Sequence, residues 1–171
     1  MDKIKNSRGA EEYFKFGHYL ERGGKGRILQ SVISQTEIGK EFLSINNNIW
    51  KILTDIAQTM DPEYAKNIKQ IPEQYRTIGI FSMFVSNIKP PTKVHRDCKD
   101  YRWCLIFLYG KHCNGLYLHY LNTYIVLQLG DVLMLDSKRI WHQADKSNMV
   151  DRYSGIVTTH AGLCKRFNKN N

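Results

Sequence analysis

The stretch WCLIFLYGKHCNGLYLHYLNTYIVLQLGDVLMLDSKRIWH, residues 103–142, decides the fold expected for this chain of 171 residues. Short apolar segments alternate in it with turn residues, such as the Gly130-Asp131 pair. Closely spaced strands separated by turn signals are typical of a β-sandwich or barrel and not of a doubly wound parallel sheet. The stretch therefore predicts a small antiparallel β structure.

The residues on both sides continue this pattern. We predict strands at residues 78–86, 103–109, 116–121, 124–129, 132–135, 139–142 and 153–160. A β region this short has room for one small jelly roll and for little else.

The chain before residue 76 has a different pattern, and residues 10–72 are predicted to be mainly helical with intervening loops. One helical segment is expected at 10–20 and another around 48–60, where apolar residues from Ile49 to Ile56 recur at helical spacing. The basic, Gly-rich stretch between them lacks the P-loop and dinucleotide-binding patterns and is interpreted as a flexible loop.

The two halves together predict an α+β protein in which N-terminal helices pack on one side of the jelly roll. We expect a single domain overall, as the chain length indicates. Its parts are a helical support region at 1–75, a β core at 76–164 and a basic tail at 165–171.

Composition and charge narrow the class of protein. Hydrophobic residues make up 42% and charged residues 24%, which is ordinary for a globular chain. No apolar run has the length of a membrane span and the first residues contain no signal-peptide h-region, so we expect an intracellular protein. The four cysteines match no zinc pattern and are expected to be free thiols. The net charge of +9 favours a polyanionic partner such as nucleic acid, although a high pI alone also accounts for it.

The first candidate site is Val94-His95-Arg96-Asp97. On a strand, His95 and Asp97 would point to the same side while Arg96 points away. One imidazole and one carboxylate could then bind a single metal ion. The alternative is a surface histidine beside an aspartate.

A second histidine, His142, follows after several predicted strands. Two histidines and one carboxylate on rigid strands form the facial triad that leaves open positions on Fe(II) for a cosubstrate and O₂. The alternative for His142 is a buried core histidine next to Trp141.

A third candidate lies in Asp151-Arg152-Tyr153-Ser154. If 153–160 is a strand, Arg152, Ser154 and His160 share one face. An inward guanidinium would need a partner, and a dicarboxylate ligand would supply one through two parallel hydrogen bonds. Alternatively, Arg152 lies on the outer face and pairs with a neighbouring aspartate.

With these motifs in order, residues 95–160 resemble the catalytic core of an Fe(II)/2-oxoglutarate-dependent dioxygenase, a double-stranded β-helix of the cupin-like kind. The shared elements are the HxD motif, NGLYL, the LGDVLML turn, the distal histidine in IWH and the RYS motif. The layout is most similar to the TET/J-binding-protein oxygenases, in particular compact fungal, transposon-associated members, which end the last strand in Thr-His as Thr159-His160 does. The resemblance also covers the preceding strand with Asn87.

The resemblance implies His95, Asp97 and His142 as the catalytic metal ligands for Fe(II). It implies Arg152, helped by Ser154, as the group that binds the distal carboxylate of 2-oxoglutarate. Further candidates for cosubstrate or substrate contacts are Asn87, His160 and Asp100. The cofactors would be Fe(II), 2-oxoglutarate and O₂, with ascorbate as a supporting reductant, and the reaction would couple decarboxylation to succinate and CO₂ with oxidation of a C–H bond.

In the TET-like group the substrate is the methyl group of 5-methylcytosine in DNA, on a base flipped out of the duplex. The resemblance thus implies DNA as the partner and the nucleus as the location. Other substrates stay open within the same enzyme class: a protein side chain, an alkylated base as in AlkB-type demethylases, or a small molecule. A jelly-roll binding module without turnover is the alternative outside that class.

Overall fold

The computed structural model describes residues 12–21, 26–88, 92–109, 114–144 and 153–168. The chain divides into two compact units, Met1–Phe14 with Val85–Ile156 and Lys15–Phe84 with Val157–Asn171. The strands are β1 (Glu12–Leu20), β2 (Ile28–Gln30), β3 (Met83–Ile88), β4 (Asp100–Leu108), β5 (Asn114–Leu118), β6 (Thr123–Leu127), β7 (Val132–Leu135), β8 (His142–Ala144) and β9 (Tyr153–His160). The helices are α1 (Val32–Gln35), α2 (Glu37–Ile45), α3 (Asn47–Met60), α4 (Pro62–Ile68) and α5 (Ala161–Phe167), with a 3₁₀ turn at Glu73–Tyr75. No helix in these ranges has the length and apolar character needed to cross a bilayer.

The unit built around Val85–Ile156 contains two sheets that share one apolar core. In one sheet β3, β9, β4 and β7 are neighbours in that order, and the other has the order β6, β5, β8. The pairs β4–β7, β5–β6 and β5–β8 are antiparallel. Core residues recur at alternate positions in β4, at Cys104, Ile106 and Leu108, and in β5, at Leu116 and Leu118. The core consists of Cys104, Ile106, Leu108, Leu116, Leu118, Leu127, Leu135 and Ala144.

The other unit combines the β1–β2 pair with helices α1 to α5. An aromatic cluster fills its interior, and the rings of Phe42 and Phe84 stack at 5.7 Å between centroids, with Trp50 5.1 Å from Phe84. Helix α3 presents Trp50, Leu53 and Ala57 to this interior at helical spacing. The predicted helix at 48–60 is therefore confirmed to within one residue.

The helix predicted at 10–20 is wrong, because this segment forms strand β1. Gly17 has φ +97°, and a Cβ at this position would lie 2.1 Å from the Ser82 carbonyl oxygen. The neighbouring His18 N–H donates to the same oxygen at 2.6 Å. Pairing with a distant backbone segment thus decides the conformation and overrides the local pattern.

The predicted strands at 132–135 and 153–160 have the observed bounds, whereas the other five are displaced. The strands expected at 103–109, 116–121 and 124–129 are observed at Asp100–Leu108, Asn114–Leu118 and Thr123–Leu127. The strand expected at 139–142 begins only at His142, because Asp136 organises a turn before it: the Asp136 carbonyl accepts from Ile140 N at 2.9 Å and its carboxylate from Arg139 N at 3.2 Å. The strand expected at 78–86 begins at Met83. Residues 22–25, Arg152 and the tail from 169 lie outside the described residues.

Candidate metal centre

The centre is built on one pair of backbone hydrogen bonds between His95 and His142. The N–H of each residue donates to the carbonyl of the other at 3.0 Å, which makes the two histidines direct neighbours across an antiparallel bridge. A second contact joins the same segments, since Thr92 N donates to Ala144 O at 3.2 Å and Ala144 N to Thr92 Oγ1 at 2.8 Å. From His95 back to Thr92 is three residues, whereas from His142 to Ala144 is two. The segment from Thr92 to His95 therefore contains a bulge and forms no regular strand.

Apart from the bridge at His95, residues 95–97 form no strand, which corrects the strand geometry assumed for the HxD motif. The side chains still converge. One nitrogen or oxygen atom from each of His95, Asp97 and His142 lies within 4.8 Å of the others. The Nε2 atom of His142 is 3.5 Å from Asp97 Oδ2, and that of His95 is 4.0 Å from Asp97 Oδ1. His142 and Asp97 are buried and His95 is half-buried. Arg96 points elsewhere, with its guanidinium 4.7 Å from the centre of the Trp141 ring.

The second nitrogen of each imidazole fixes its orientation. His95 Nδ1 lies 2.7 Å from the Lys93 carbonyl oxygen, and His142 Nδ1 lies 2.9 Å from the Ile140 carbonyl oxygen. A carbonyl oxygen only accepts, so Nδ1 carries a proton in both rings. In the neutral imidazole this leaves the Nε2 lone pair available on the side that faces Asp97.

The electrostatics of this arrangement favour a cation. Two Nε2 lone pairs and a carboxylate that face one another over 3.5 to 4.0 Å repel unless a proton or a metal ion lies between them. Imidazole nitrogen with carboxylate oxygen is a donor set that suits Fe(II) and other divalent transition metals. Within the described ranges, this is the only set of three His, Cys, Asp or Glu side chains close enough to share a metal ion.

The backbone of Asp97 is held by Ser137, which follows β7. Asp97 N–H donates to the Ser137 carbonyl at 2.8 Å, and the Ser137 hydroxyl donates to Asp100 Oδ2 at 2.9 Å. Asp100, predicted as a cosubstrate or substrate contact, is buried in this arrangement. Nearby, burial raises the pKa of the Cys104 thiol well above its usual value, and the Asp100 carboxylate raises it further, so the thiol stays neutral.

Of the residues predicted to bind 2-oxoglutarate on β3 and near β9, the structure describes some and not others. Ser154 is buried on β9 and Asn87 is half-buried on β3. Arg152 lies outside the described residues. The structure thus brings together the three predicted ligands, and neither Ser154 nor Asn87 belongs to that set.

His160 has a defined structural role at the start of α5. Its Nδ1 accepts the Gly162 N–H at 3.1 Å, and its own N–H donates to Ser82 Oγ at 3.1 Å. It caps the helix, as side chains that accept from the first turn do. Its predicted cosubstrate contact stays a prediction.

Comparison with known proteins places this architecture. No protein-family model matches the chain, and no curated protein matches it in sequence. Among solved structures it is similar to NgTET1 in complex with 5mC DNA, with a TM-score of 0.77 and 16% identity, over 88% of this chain and 61% of that one. This likeness shows the fold. The predicted α+β class and jelly-roll architecture are thereby confirmed, and the chain spans less than two thirds of NgTET1.

A second structure is a 2OG-Fe(II) oxygenase family protein from Burkholderia pseudomallei. It has a TM-score of 0.40 and 15% identity, over 56% of each chain. A score at this level adds nothing to the comparison with NgTET1.

Three groups that shape the centre were not predicted from the sequence. They are the carbonyls of Lys93 and Ile140, which orient the imidazoles, and Ser137, which holds the Asp97 backbone. A backbone carbonyl has no sequence signature. The position of Ser137 two residues after the apolar strand β7 was the one signal available.

Proposed function

We propose that this chain is an Fe(II)/2-oxoglutarate-dependent dioxygenase in which His95, Asp97 and His142 bind the iron. The observation that carries the proposal is the pair of imidazoles whose Nε2 atoms face one buried carboxylate, each with Nδ1 bonded to a backbone carbonyl. Three protein ligands of this kind leave positions for a cosubstrate and O₂.

The protein residues divide the work of binding and orientation. The two histidines and Asp97 hold the metal on one side, and the backbone bridge keeps the imidazoles together as ligands are exchanged. Arg152 would bind the distal carboxylate of 2-oxoglutarate with two parallel hydrogen bonds, and the buried Ser154 hydroxyl would add a third. Iron, when bound, supplies the oxidation chemistry that couples loss of CO₂ from 2-oxoglutarate to oxidation of a substrate C–H bond.

The substrate we propose is a methylated base in nucleic acid, with 5-methylcytosine in DNA as the specific case. The net charge of +9 suits a polyanionic partner, and the fold is that of NgTET1, whose structure contains 5mC DNA. A stacked base cannot reach a metal held by buried side chains, so the base would be flipped out of the duplex. Action on chromosomal DNA would place the protein in the nucleus of a eukaryotic cell.

One incubation tests both levels of the proposal. The purified protein is combined with Fe(II), ascorbate, 2-oxoglutarate and a duplex that contains 5-methylcytosine, and succinate and digested nucleosides are measured by mass spectrometry. We expect succinate and oxidised cytosine from the wild type and neither from His142→Ala. His119→Ala is the matched control, because His119 bonds to Gln143 at 3.2 Å and is not one of the three ligands.

The two products separate the alternatives. Succinate without oxidised cytosine keeps the dioxygenase and replaces DNA by a protein side chain or a small molecule. Neither product, from folded protein that binds iron, favours a jelly-roll binding module.

A further inference from the structure

Three hydrogen bonds form a closed ring behind the carboxylate ligand. Asp97 N–H donates to Ser137 O at 2.8 Å, Ser137 Oγ donates to Asp100 Oδ2 at 2.9 Å, and Asp100 N–H donates to Asp97 O at 2.8 Å. Each of the three residues therefore donates a hydrogen bond to one neighbour and accepts one from the other. Asp97 is bound through both its N–H and its carbonyl, which fixes the peptide planes on either side of its Cα.

The ring lies in the interior of its unit. Ser137 is 0% exposed and Asp100 is 6% exposed. Burial of a carboxylate is unfavourable unless hydrogen bonds compensate it, and the fully buried Ser137 hydroxyl provides one. Ser137 is itself fixed at the end of β7, because its N–H donates to Leu135 O at 2.9 Å.

The backbone of β4 is distorted beside this ring. Arg102 has φ +65°, in the left-handed region that side chains other than glycine rarely adopt. Strict alternation would place Asp100, Arg102 and Cys104 on one face, yet Arg102 is exposed while the other two are buried. The distortion allows the strand to bury Asp100 without burying a guanidinium two residues later.

We propose that Asp100 is a positioning residue for the metal ligand Asp97, acting through Ser137, and not a contact for the cosubstrate. This inference rests on the proposed function, since it assigns Asp97 to the metal. Both Asp97 carboxylate oxygens face an imidazole, at 3.5 and 4.0 Å, and that arrangement depends on where the backbone places the Asp97 Cα. Loss of the Asp100 acceptor removes this bond from the Ser137 hydroxyl, which loosens the carbonyl that holds the Asp97 N–H.

The test measures Co(II) affinity and the visible absorption of bound Co(II), which reports the ligand geometry. Outer partners of metal ligands typically contribute about 10- to 100-fold to affinity. We expect Asp100→Ala and Ser137→Ala to weaken Co(II) binding by about that factor and to change the spectrum. Asp100→Asn keeps an oxygen that accepts from Ser137 and is expected to stay within about threefold of the wild type.

Asp131→Ala is the matched control, because it removes an exposed carboxylate that accepts only a local Gln128 N–H at 2.8 Å. It should bind Co(II) as the wild type does. If Asp100→Ala does not fold, Ser137→Ala carries the test, since it removes one hydroxyl and keeps the carbonyl.

Two results would overturn the positioning role. One is unchanged Co(II) affinity and spectrum in folded Ser137→Ala and Asp100→Ala. The other is an Asp100→Asn variant with a raised KM for 2-oxoglutarate and intact Co(II) binding, which would make Asp100 a cosubstrate contact. Failure of the proposed function looks different. If the wild type binds Co(II) but forms no succinate in the dioxygenase assay, the activity fails and the positioning role still stands or falls with the variants. If the wild type binds no Co(II), the metal centre and its positioning residue fall together.

Discussion

Metal binding should raise the thermal stability of this chain, and replacement of one ligand should abolish most of the rise. The centre joins two segments, the bulged segment with His95 and Asp97 and the strand that begins at His142. A metal ion that binds both cross-links them in the folded state only, because the unfolded chain does not hold the three donors together. We therefore expect Co(II), which resists air oxidation better than Fe(II), to act as a stabilising ligand.

The size of the effect follows from binding linkage. At a metal concentration of about 100 times Kd, the stabilisation is about 2.7 kcal/mol. For a chain of 171 residues, each kcal/mol shifts Tm by about 2–4 °C, so the expected rise is about 5–11 °C. If His142→Ala weakens binding about 100-fold, the same Co(II) concentration stabilises by only about 0.4 kcal/mol, or about 1–2 °C.

The assay is a thermal melt of wild type, His142→Ala and His119→Ala, each with and without Co(II). His119→Ala removes a half-buried imidazole bonded to Gln143 and should show the full wild-type rise. An equal rise in His142→Ala would place the metal elsewhere and refute the site. No rise in the wild type, even at millimolar Co(II), would refute metal binding by the triad.

Four further predictions test separate parts of the structure. Arg152→Ala should raise the requirement for 2-oxoglutarate at least tenfold while Co(II) affinity stays unchanged, as steady-state kinetics and a metal titration would show. Lys93→Ala should leave Co(II) affinity within about twofold, because His95 bonds to the Lys93 backbone carbonyl, which the substitution keeps. Gly17→Ala should lower the free energy of unfolding by at least about 1–3 kcal/mol in urea titrations, since φ +97° and the Ser82 carbonyl both oppose a Cβ. Burial lowers the pKa of His18 below 6.5, so on acidification the unfolded chain binds a proton at a higher pH than the folded chain does. The free energy of unfolding should therefore fall as pH drops below about 6.5, and it should fall less steeply in His18→Gln.

The parts of the fold that were predictable are those that local pattern determines. Strand β7 is a short apolar run after a turn signal, β9 is rich in β-branched residues, and α3 has apolar residues at helical spacing. The bounds of all three agree with the prediction to within one residue. The triad was predictable for a related reason. His95 and Asp97 form an HxD motif and His142 follows after the predicted strands, in the order seen in the dioxygenase cores that the sequence resembles. This order identified the three residues although His95 and Asp97 do not lie on a regular strand.

The parts that were not predictable depend on contacts between distant segments. β1 is a strand because its backbone pairs with Ser82, and no residue pattern within 10–20 indicates this distant partner. The strand after residue 138 starts late because the Asp136 turn takes up the residues before His142. The bond between the Asp100 carboxylate and Ser137 was also not predictable, because a sequence motif does not show it.

The same local device orients both imidazoles, and this explains how a short chain forms the centre without a regular strand on one side. In each case the ring nitrogen Nδ1 bonds to the carbonyl two residues earlier, at Lys93 for His95 and at Ile140 for His142. The backbone bridge between His95 and His142 then holds the two rings side by side, with centroids 4.4 Å apart. Backbone groups therefore direct both Nε2 atoms toward the same point, and the buried Asp97 carboxylate supplies the third donor there. Since the device needs no particular side chain at positions 93 or 140, sequence change there does not disturb the donors, and the centre is compatible with a chain that matches no family model in sequence while it keeps the fold.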